Sequence, residues 1–165
     1  MTSLIESINL HQAASSSIND MESGTQFQPI LIDPLTDKLS AKRVVLLSGK
    51  LYYEVLKERQ SRNLNDAVAL VRIEELSPFP FKGLEDVLHL YPNATEYVWL
   101  QEEPRNQGAY PHVAGRILSV LQRMEKNVDL RYIGRKESSI PVPGVGELYQ
   151  AQQKNLVEGP FEDFT

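Results

Sequence analysis

The sequence lacks the residues and motifs on which most small enzymes depend. It has no cysteine, and its histidines, His11, His89 and His112, lie far apart. The absence of cysteine excludes disulfide scaffolds, thiol nucleophiles and thiolate metal sites. The histidines form no H-E-x-x-H pair, and the sequence contains no G-x-S-x-G or G-x-G-x-x-G motif. We therefore predict no catalytic residue and no metal ligand, and an intact small enzyme is the least favoured function.

Long apolar runs and an excess of positive charge are also missing. No apolar run approaches the ~18–20 residues that span a membrane. The 17 basic and 22 acidic side chains give a formal net charge of −5. This balance argues against broad attraction to nucleic acid or anionic lipid, although it leaves room for a small local anion site. We expect neither nucleic acid nor a membrane among the partners.

The composition divides the 165 residues into four segments. Residues 1–26, with their run of alanines and serines, predict a flexible N-terminal arm. Residues 27–42 are apolar but interrupted by prolines, which predicts an extended strap laid over the domain. Residues 43–160 form the predicted α/β domain, and residues 161–165 a tail. No arginine precedes Arg43, so the sequence does not indicate a mitochondrial presequence.

Strand and helix patterns alternate four times within the predicted domain. Short apolar runs predict strands at 44–47, 67–73, 97–100 and 130–133. Helical periodicity predicts helices at 50–62, 83–90, 111–124 and 146–157. This alternation predicts an α/β fold, with an open, mostly parallel sheet of about four to five strands and helices on both faces.

The first predicted helix is amphipathic. Its apolar face holds Leu51, Val55 and Leu56. Its opposite, polar face holds Lys57, Glu58 and Arg59. We expect the polar face to be exposed to solvent.

Two polar turns follow predicted strands, where open α/β sheets bind ligands. After the first strand, Gly49 permits a tight turn, Ser48 can cap the helix, and Lys50 adds charge beside free helix N–H groups. We favour the capping interpretation over a phosphate site, and both stay open. After the third strand, residues 101–110 hold acids, amides and an arginine. We expect part of this turn to cap backbone groups and the rest to face a ligand or another subunit.

An acidic pair precedes the second helix. Glu74 and Glu75 are adjacent at a predicted strand end, so their side chains point in opposite directions. Acid–base catalysis needs two carboxyl groups whose environments separate their pKa values. We therefore do not expect catalysis at this pair.

Four motifs, read in order, resemble a known family. They are VVLLSGKLYY at 44–53, VRIEELSPFP at 71–80, VWLQEEPRNQG at 98–108 and YIGR at 132–135. Together they closely resemble the C-terminal domain of 2-oxoglutarate dehydrogenase E1 components, with a likeness covering roughly Gly24 to Phe161. Segments 21–27 and 141–146 are more similar to the 2-oxoadipate dehydrogenase type, the dehydrogenase E1 and transketolase domain-containing proteins.

The resemblance implies a transketolase C-terminal-like domain that is not catalytic alone. In the family, thiamine diphosphate and magnesium bind between other domains, and the acyl group passes to an E2 succinyltransferase partner. The sequence has no G-D-G…N type of signature, so we expect this chain to bind no cofactor itself. It resembles a truncated gene product, a split gene or a gene fragment. The family location implies the mitochondrial matrix, whereas a chain acting alone without a presequence is expected in the cytoplasm.

The resemblance also implies partners and a regulatory site. Such domains build the E1 dimer, so we expect a homo-oligomer with the remaining E1 domains or an E1 subunit. In some members they bind an allosteric nucleotide such as acetyl-CoA, and the matching positions here are Ser48, Lys50, Gln101 and Gln107. The leading hypothesis is an assembly and regulatory domain, and the alternative is a free-standing acetyl-CoA- or nucleotide-binding module. The site hypothesis requires that the turns after the first and third predicted strands lie at the same edge of the sheet.

Overall fold

The computed structural model describes residues 22–140, 144 and 146–164. Most of the predicted arm, part of segment 141–146 and Thr165 lie outside these residues. The four segment boundaries given above stay predictions.

Five strands form one sheet in the order β1-β3-β2-β4-β5. They are β1 Ile30–Leu31, β2 Arg43–Leu47, β3 Val68–Ile73, β4 Glu96–Pro104 and β5 Leu130–Arg135. β1 is antiparallel to β3, and all other neighbours are parallel. The described α-helices are α1 Leu51–Ser61, α2 Phe81–His89, α3 Tyr110–Arg123 and α4 Gly146–Glu158, which runs into a 3-10 helix at Gly159–Phe161.

Helices cover both faces of the sheet, as predicted for this α/β fold. Alternate residues of a strand point to opposite faces. Val44 and Leu46 of β2 therefore pack with α2 and α3, whereas Val45 and Leu47 pack with α1. Val157 at the end of α4 packs on the same side as α1. None of the helices in the described part of the chain is long and apolar enough to cross a membrane.

Strand β4 is longer than the sequence pattern indicates. The predicted strand ends at residue 100, but β4 continues to Pro104, so the polar residues 101–104 lie in a strand and not in a turn. The strand continues because β4 stays paired with β5, with a register shift between Leu100 and Pro104. Backbone hydrogen bonds hold this extension, and they do not require apolar side chains. The other predicted helix and strand ends lie close to those observed.

Arg59 does not face solvent, which corrects the prediction for the first helix. Its side chain is fully buried and donates hydrogen bonds to both carboxylate oxygens of Asp33. Asp33 also accepts hydrogen bonds from the Thr36 hydroxyl at 2.7 Å and the Leu70 N–H at 3.2 Å. Burial alone raises the pKa of the Asp33 carboxyl, but hydrogen bonds from Arg59, Thr36 and the Leu35 N–H outweigh it and hold that pKa below its ordinary value. This ion pair ties segment 27–42 to α1 and β3, and we call it the strap clamp.

The end of the chain packs against the start of β2. Phe161 is 1% exposed and belongs to the core that α1 covers. The buried Arg43 guanidinium donates hydrogen bonds to the carbonyl oxygens of Pro160 at 2.7 Å and Glu162 at 3.0 Å, and lies 4.5 Å from the centroid of the Phe164 ring. The segment that we expected to be a tail therefore contributes core contacts.

Candidate functional site

The two polar turns meet where the direction of sheet winding changes. β2 and β4 are neighbouring parallel strands, and Leu46 pairs with Trp99. From β2 the chain winds outward to β3, and it then crosses back to β4 on the other side of β2. The carboxyl ends of β2 and β4 therefore enclose the crevice in which open α/β sheets bind ligands. Ser48, which follows β2, and Gln107, which follows β4, lie at this one edge, as the site hypothesis requires.

The turn after β2 is tight, but Ser48 does not cap the helix. Gly49 has a φ of +72°, which favours glycine. The N-cap of α1 is Lys50, which makes no side-chain capping bond. A capping side chain must reach the N–H groups two or three residues ahead. Ser48 lies before the N-cap, so the favoured capping interpretation was wrong.

Lys50 faces a carboxylate on the α1 side of β4. Its Nζ lies 3.9 Å from Glu102 Oε2, and the two side chains are 39% and 22% exposed. Gln153 of α4 donates hydrogen bonds to Glu102 Oε1 at 2.9 Å and to Glu54 Oε2 at 3.1 Å. An anion at this corner must therefore compete with Glu102 for Lys50. We call these side chains the Lys50 corner.

Arg72 lies at the same edge, and the sequence analysis did not include it. It pairs with Leu47 in the sheet, one residue before Ser48. Its guanidinium carbon lies 4.3 Å from the centroid of the Tyr52 ring, and Nη1 lies 3.8 Å from Glu74 Oε1. The sequence could have indicated this residue, because Arg72 is the one charged residue in the apolar run VALVRI. It stands next to the end of the strand, where open α/β sheets bind ligands.

Gln101 points to the opposite face of β4 and holds the following turn. It is 5% exposed. Its Oε1 accepts hydrogen bonds from Trp99 Nε1 and from the Tyr110 N–H that begins α3, both at 2.9 Å. Its Nε2 donates to the carbonyl oxygens of Pro104 at 3.1 Å and Gln107 at 2.9 Å. These contacts use both lone pairs and both amide hydrogens, so Gln101 shapes the turn rather than offering a free group.

Gln107 joins the turn after β4 to the turn after β5. Its Nε2 donates a hydrogen bond to the Ser138 carbonyl oxygen at 2.8 Å. The adjacent Gly108 has a φ of +62°, and a Cβ there would lie 2.9 Å from the Glu103 side chain. The structure thus brings Gln101 and Gln107 together on one face of β4, with Lys50 and Glu102 on the other and Ser48 at the end of β2.

The remaining sequence candidates have structural contacts. His112 of α3 lies with Nε2 2.8 Å from the Leu76 carbonyl oxygen, and His89 is exposed. The N–H groups of Glu74 and Glu75 both donate to the Pro29 carbonyl oxygen. Within residues 22–140, 144 and 146–164, no three histidine, aspartate or glutamate side chains are placed to hold a metal ion.

Comparison with known proteins identifies the family. A family profile described as "2-oxoglutarate dehydrogenase C-terminal" matches residues 15–161. This chain belongs to that family. Among its relatives, the 2-oxoglutarate dehydrogenase E1 component of Haemophilus influenzae is 42% identical over 155 residues, which are 93% of this chain and 16% of the relative. The 2-oxoglutarate dehydrogenase E1/E2 component of Corynebacterium glutamicum is 37% identical over 92% of this chain and 12% of its own length.

Relatives named as 2-oxoadipate dehydrogenase E1 components have similar sequence identities to this chain. The 2-oxoadipate dehydrogenase complex component E1 of Xenopus laevis is 37% identical over 149 residues, which are 88% of this chain and 15% of the relative. The chain therefore spans only a small part of the length of these relatives. It is the C-terminal domain of a 2-oxoglutarate-type dehydrogenase E1. Its sequence identities to the 2-oxoglutarate and the 2-oxoadipate relatives overlap.

Proposed function

We propose that this chain is the assembly and regulatory domain of a thiamine diphosphate-dependent 2-oxo acid dehydrogenase E1 and is not catalytic alone. Its parent acts on 2-oxoglutarate or 2-oxoadipate and passes the acyl group to an E2 partner. Support comes from family membership together with the 12–16% of the relatives' length that the chain matches. The mitochondrial matrix is the location proposed for the parent enzyme, by resemblance alone.

Exposed apolar side chains in segment 27–42 carry the assembly proposal. In the described residues, the large hydrophobic side chains that are exposed include a group in this segment, namely Phe27, Ile32, Leu35 and Leu39. We call this group the strap surface. Leu39 is 65% exposed and Leu35 47% exposed, although the adjacent Thr36 is buried in the strap clamp. Apolar groups held on a fixed backbone fit a docking surface for the remaining E1 domains.

Magnesium and thiamine diphosphate belong, in this proposal, to other parts of the parent E1. A diphosphate-bound magnesium ion needs carboxylate or amide oxygens grouped around it. The described residues offer no such group of acidic and histidine side chains. No catalytic step is therefore assigned to this domain.

The regulatory part of the proposal concerns Ser48, Lys50, Gln101 and Gln107. Their location at the crevice between β2 and β4 supports a nucleotide or acetyl-CoA site formed with the rest of E1. The alternative, a free-standing module, has less support because Lys50 faces Glu102 and the Gln101 amide is already bonded. A tight site here would need groups from elsewhere in the parent.

A chimera tests the proposed function. The segment of the Haemophilus influenzae E1 component that matches residues 15–161 is deleted, or replaced by this chain, and decarboxylation of 2-oxoglutarate is measured with thiamine diphosphate and magnesium. We expect activity from the chimera, and none from the deleted protein or from this chain alone. Turnover by the isolated chain would overturn the proposal, as would full activity of the deleted protein.

A further inference from the structure

A small cavity lies between the turns that follow β4 and β5. Its volume is about 260 Å³, and it is lined by Arg105, Tyr132, Gly134, Arg135, Lys136 and Glu137. It lies on the α3 side of the sheet, because Tyr132 packs against Tyr110 of α3 with 4.6 Å between ring centroids. The Lys50 corner lies on the other side of β4. The cavity is therefore separate from Lys50, whereas Gln107 lies beside it through its hydrogen bond to Ser138.

The walls of the cavity are held by hydrogen bonds between the two turns. The Arg105 N–H donates to the Arg135 carbonyl oxygen at 3.1 Å. Asn106 Nδ2 donates to the Ser138 carbonyl oxygen at 3.1 Å, and Asn106 Oδ1 accepts from the Ser138 N–H at 3.2 Å. Together with the Gln107 bond to the same carbonyl, these contacts fix the spacing of the turns. These bonds fix the backbone of the turns, while the side chains of Arg105, Lys136 and Glu137 are exposed.

The cavity has an excess of positive charge, and Arg105 and Lys136 make no ion pair with the described residues. Neither Arg105 nor Lys136 lies within 4.0 Å of a carboxylate of residues 22–140, 144 and 146–164. Arg135 points its guanidinium to the Glu102 carbonyl oxygen and to Gln152 and Gln153, so it is already used. One acidic residue, Glu137, is among the lining residues. This excess stands out in a chain with a net charge of −5.

Aromatic contacts position Arg105, and Tyr132 stays neutral. The Arg105 guanidinium carbon lies 5.7 Å from the Tyr110 ring centroid and 5.8 Å from that of Tyr132, within the range of cation–π attraction. Burial, with Glu103 adding to it, raises the pKa of the Tyr132 phenol to about 12. Tyr132 therefore adds no negative charge at physiological pH. A Cβ at Gly134 would overlap the Tyr132 hydroxyl, so glycine leaves room for this ring.

We propose that Arg105 and Lys136 form a binding site for a phosphate group between the turns after β4 and β5. Arg105 supplies the planar, two-pronged donor set that suits phosphate oxygens, and Lys136 supplies a mobile point charge. A phosphate group would fill only part of the cavity volume. The source is either free phosphate or the phosphate of a larger ligand that extends out of the cavity. This site does not depend on the proposed function of the domain.

Titration of the whole chain with inorganic phosphate, followed by amide NMR at constant ionic strength, tests the site. We expect saturable shifts of the Gly134 and Lys136 amide signals, and at least about tenfold weaker binding after Arg105→Gln with Lys136→Gln. Glu137→Gln should tighten binding about two- to threefold, because it removes the one carboxylate that lines the cavity. O-phosphoserine binding more tightly than inorganic phosphate would assign the site to a larger ligand, and the reverse would assign it to free phosphate.

The control variant is Arg123→Gln with Lys57→Gln, which removes the same two charges elsewhere. Arg123 also lies over an aromatic ring, 5.7 Å from the Phe81 centroid, and Lys57 is exposed on α1. We expect this control to bind phosphate like the unaltered chain. Shifts that persist in the Arg105 and Lys136 variant, shifts centred on Lys50, equal losses in the control, or no saturable shift would each overturn the proposal.

Discussion

Charged side chains have different environments in the strap clamp and at the carboxyl edge of the sheet. In the clamp, the side chains of Asp33 and Arg59 are both 0% exposed and bond to each other. At the edge, Lys50 and Glu102 are partly exposed and lie 3.9 Å apart, while Arg105 has no carboxylate partner among the described residues. Buried charges need every partner they have, whereas partly exposed charges keep capacity for a ligand. The clamp therefore serves the architecture, and the edge is the region available for binding.

The largest expected effect comes from breaking the clamp. Asp33→Asn leaves the Arg59 charge buried without its counterion, so we expect the free energy of unfolding to fall by about 3 kcal/mol. The measurement is urea unfolding at neutral pH. The control is Asp37→Asn, since Asp37 is exposed and bonds locally to Ser40, and its unfolding curve should stay close to that of the unaltered chain. Equal curves for the two variants would show that the clamp contributes nothing.

Acid should weaken the clamp only below the ordinary pKa of an aspartate carboxyl. The folded-state pKa of Asp33 lies below its ordinary value of 3.8. The stabilisation from the charged carboxylate is therefore fully present above that value, and it is lost as the pH falls through the folded-state pKa. We expect the difference in unfolding free energy between the unaltered chain and Asp33→Asn to be constant from neutral pH to about pH 5 and to shrink below pH 4. A difference that grows with acid would contradict this sign.

An intermediate effect is expected for Gln101→Ala at the edge. The substitution leaves the Trp99 indole N–H and the Tyr110 N–H without an acceptor, so we expect a loss of about 1–3 kcal/mol. Trp99 is the single tryptophan of the chain, and its fluorescence reports directly on this site. Gln122→Ala, at an exposed position of α3, is the matched control. Unchanged fluorescence and stability in Gln101→Ala would mean that Gln101 does not hold the turn.

The smallest effect is expected at Lys50. Its ion pair is long and partly exposed, so Lys50→Ala should change the free energy of unfolding by less than about 0.5 kcal/mol. Urea unfolding in low and high salt provides the measurement. A larger loss of unfolding free energy would show that Lys50 stabilises the fold as the clamp residues do. The clamp and the edge would then not differ in the role of their charges.

Short-range patterns were sufficient to predict most of the fold. The β-branched run at 44–47 predicted a buried strand, and Gly49 predicted the tight turn that its φ of +72° confirms. Arg59 was wrongly predicted to be exposed, because the prediction used its charge and ignored its position in the helix. It follows Leu51 and Val55 at intervals of four residues, which places it on the buried face of α1.

Contacts between distant segments were not predictable in this way. Asp33 and Arg59 are 26 residues apart in sequence, and no local pattern pairs them. The role of Gln101 depends on the backbone of a turn that forms only when β4 continues beside β5. The freedom of Arg105 and Lys136 is likewise a property of the folded arrangement. Sequence reasoning located the edge of the sheet, and the structure was needed to distinguish its occupied charges from its free ones.

The most direct test of the account is binding of this chain to the rest of an E1 through the strap surface. The partner is the Haemophilus influenzae E1 component without its matching C-terminal segment, and the affinity is measured by sedimentation. We predict saturable binding that is lost in Leu35→Ser with Leu39→Ser and retained in Leu148→Ser, which alters an exposed apolar residue on α4. Binding that survives loss of Leu35 and Leu39, or no binding by the unaltered chain, would contradict the account.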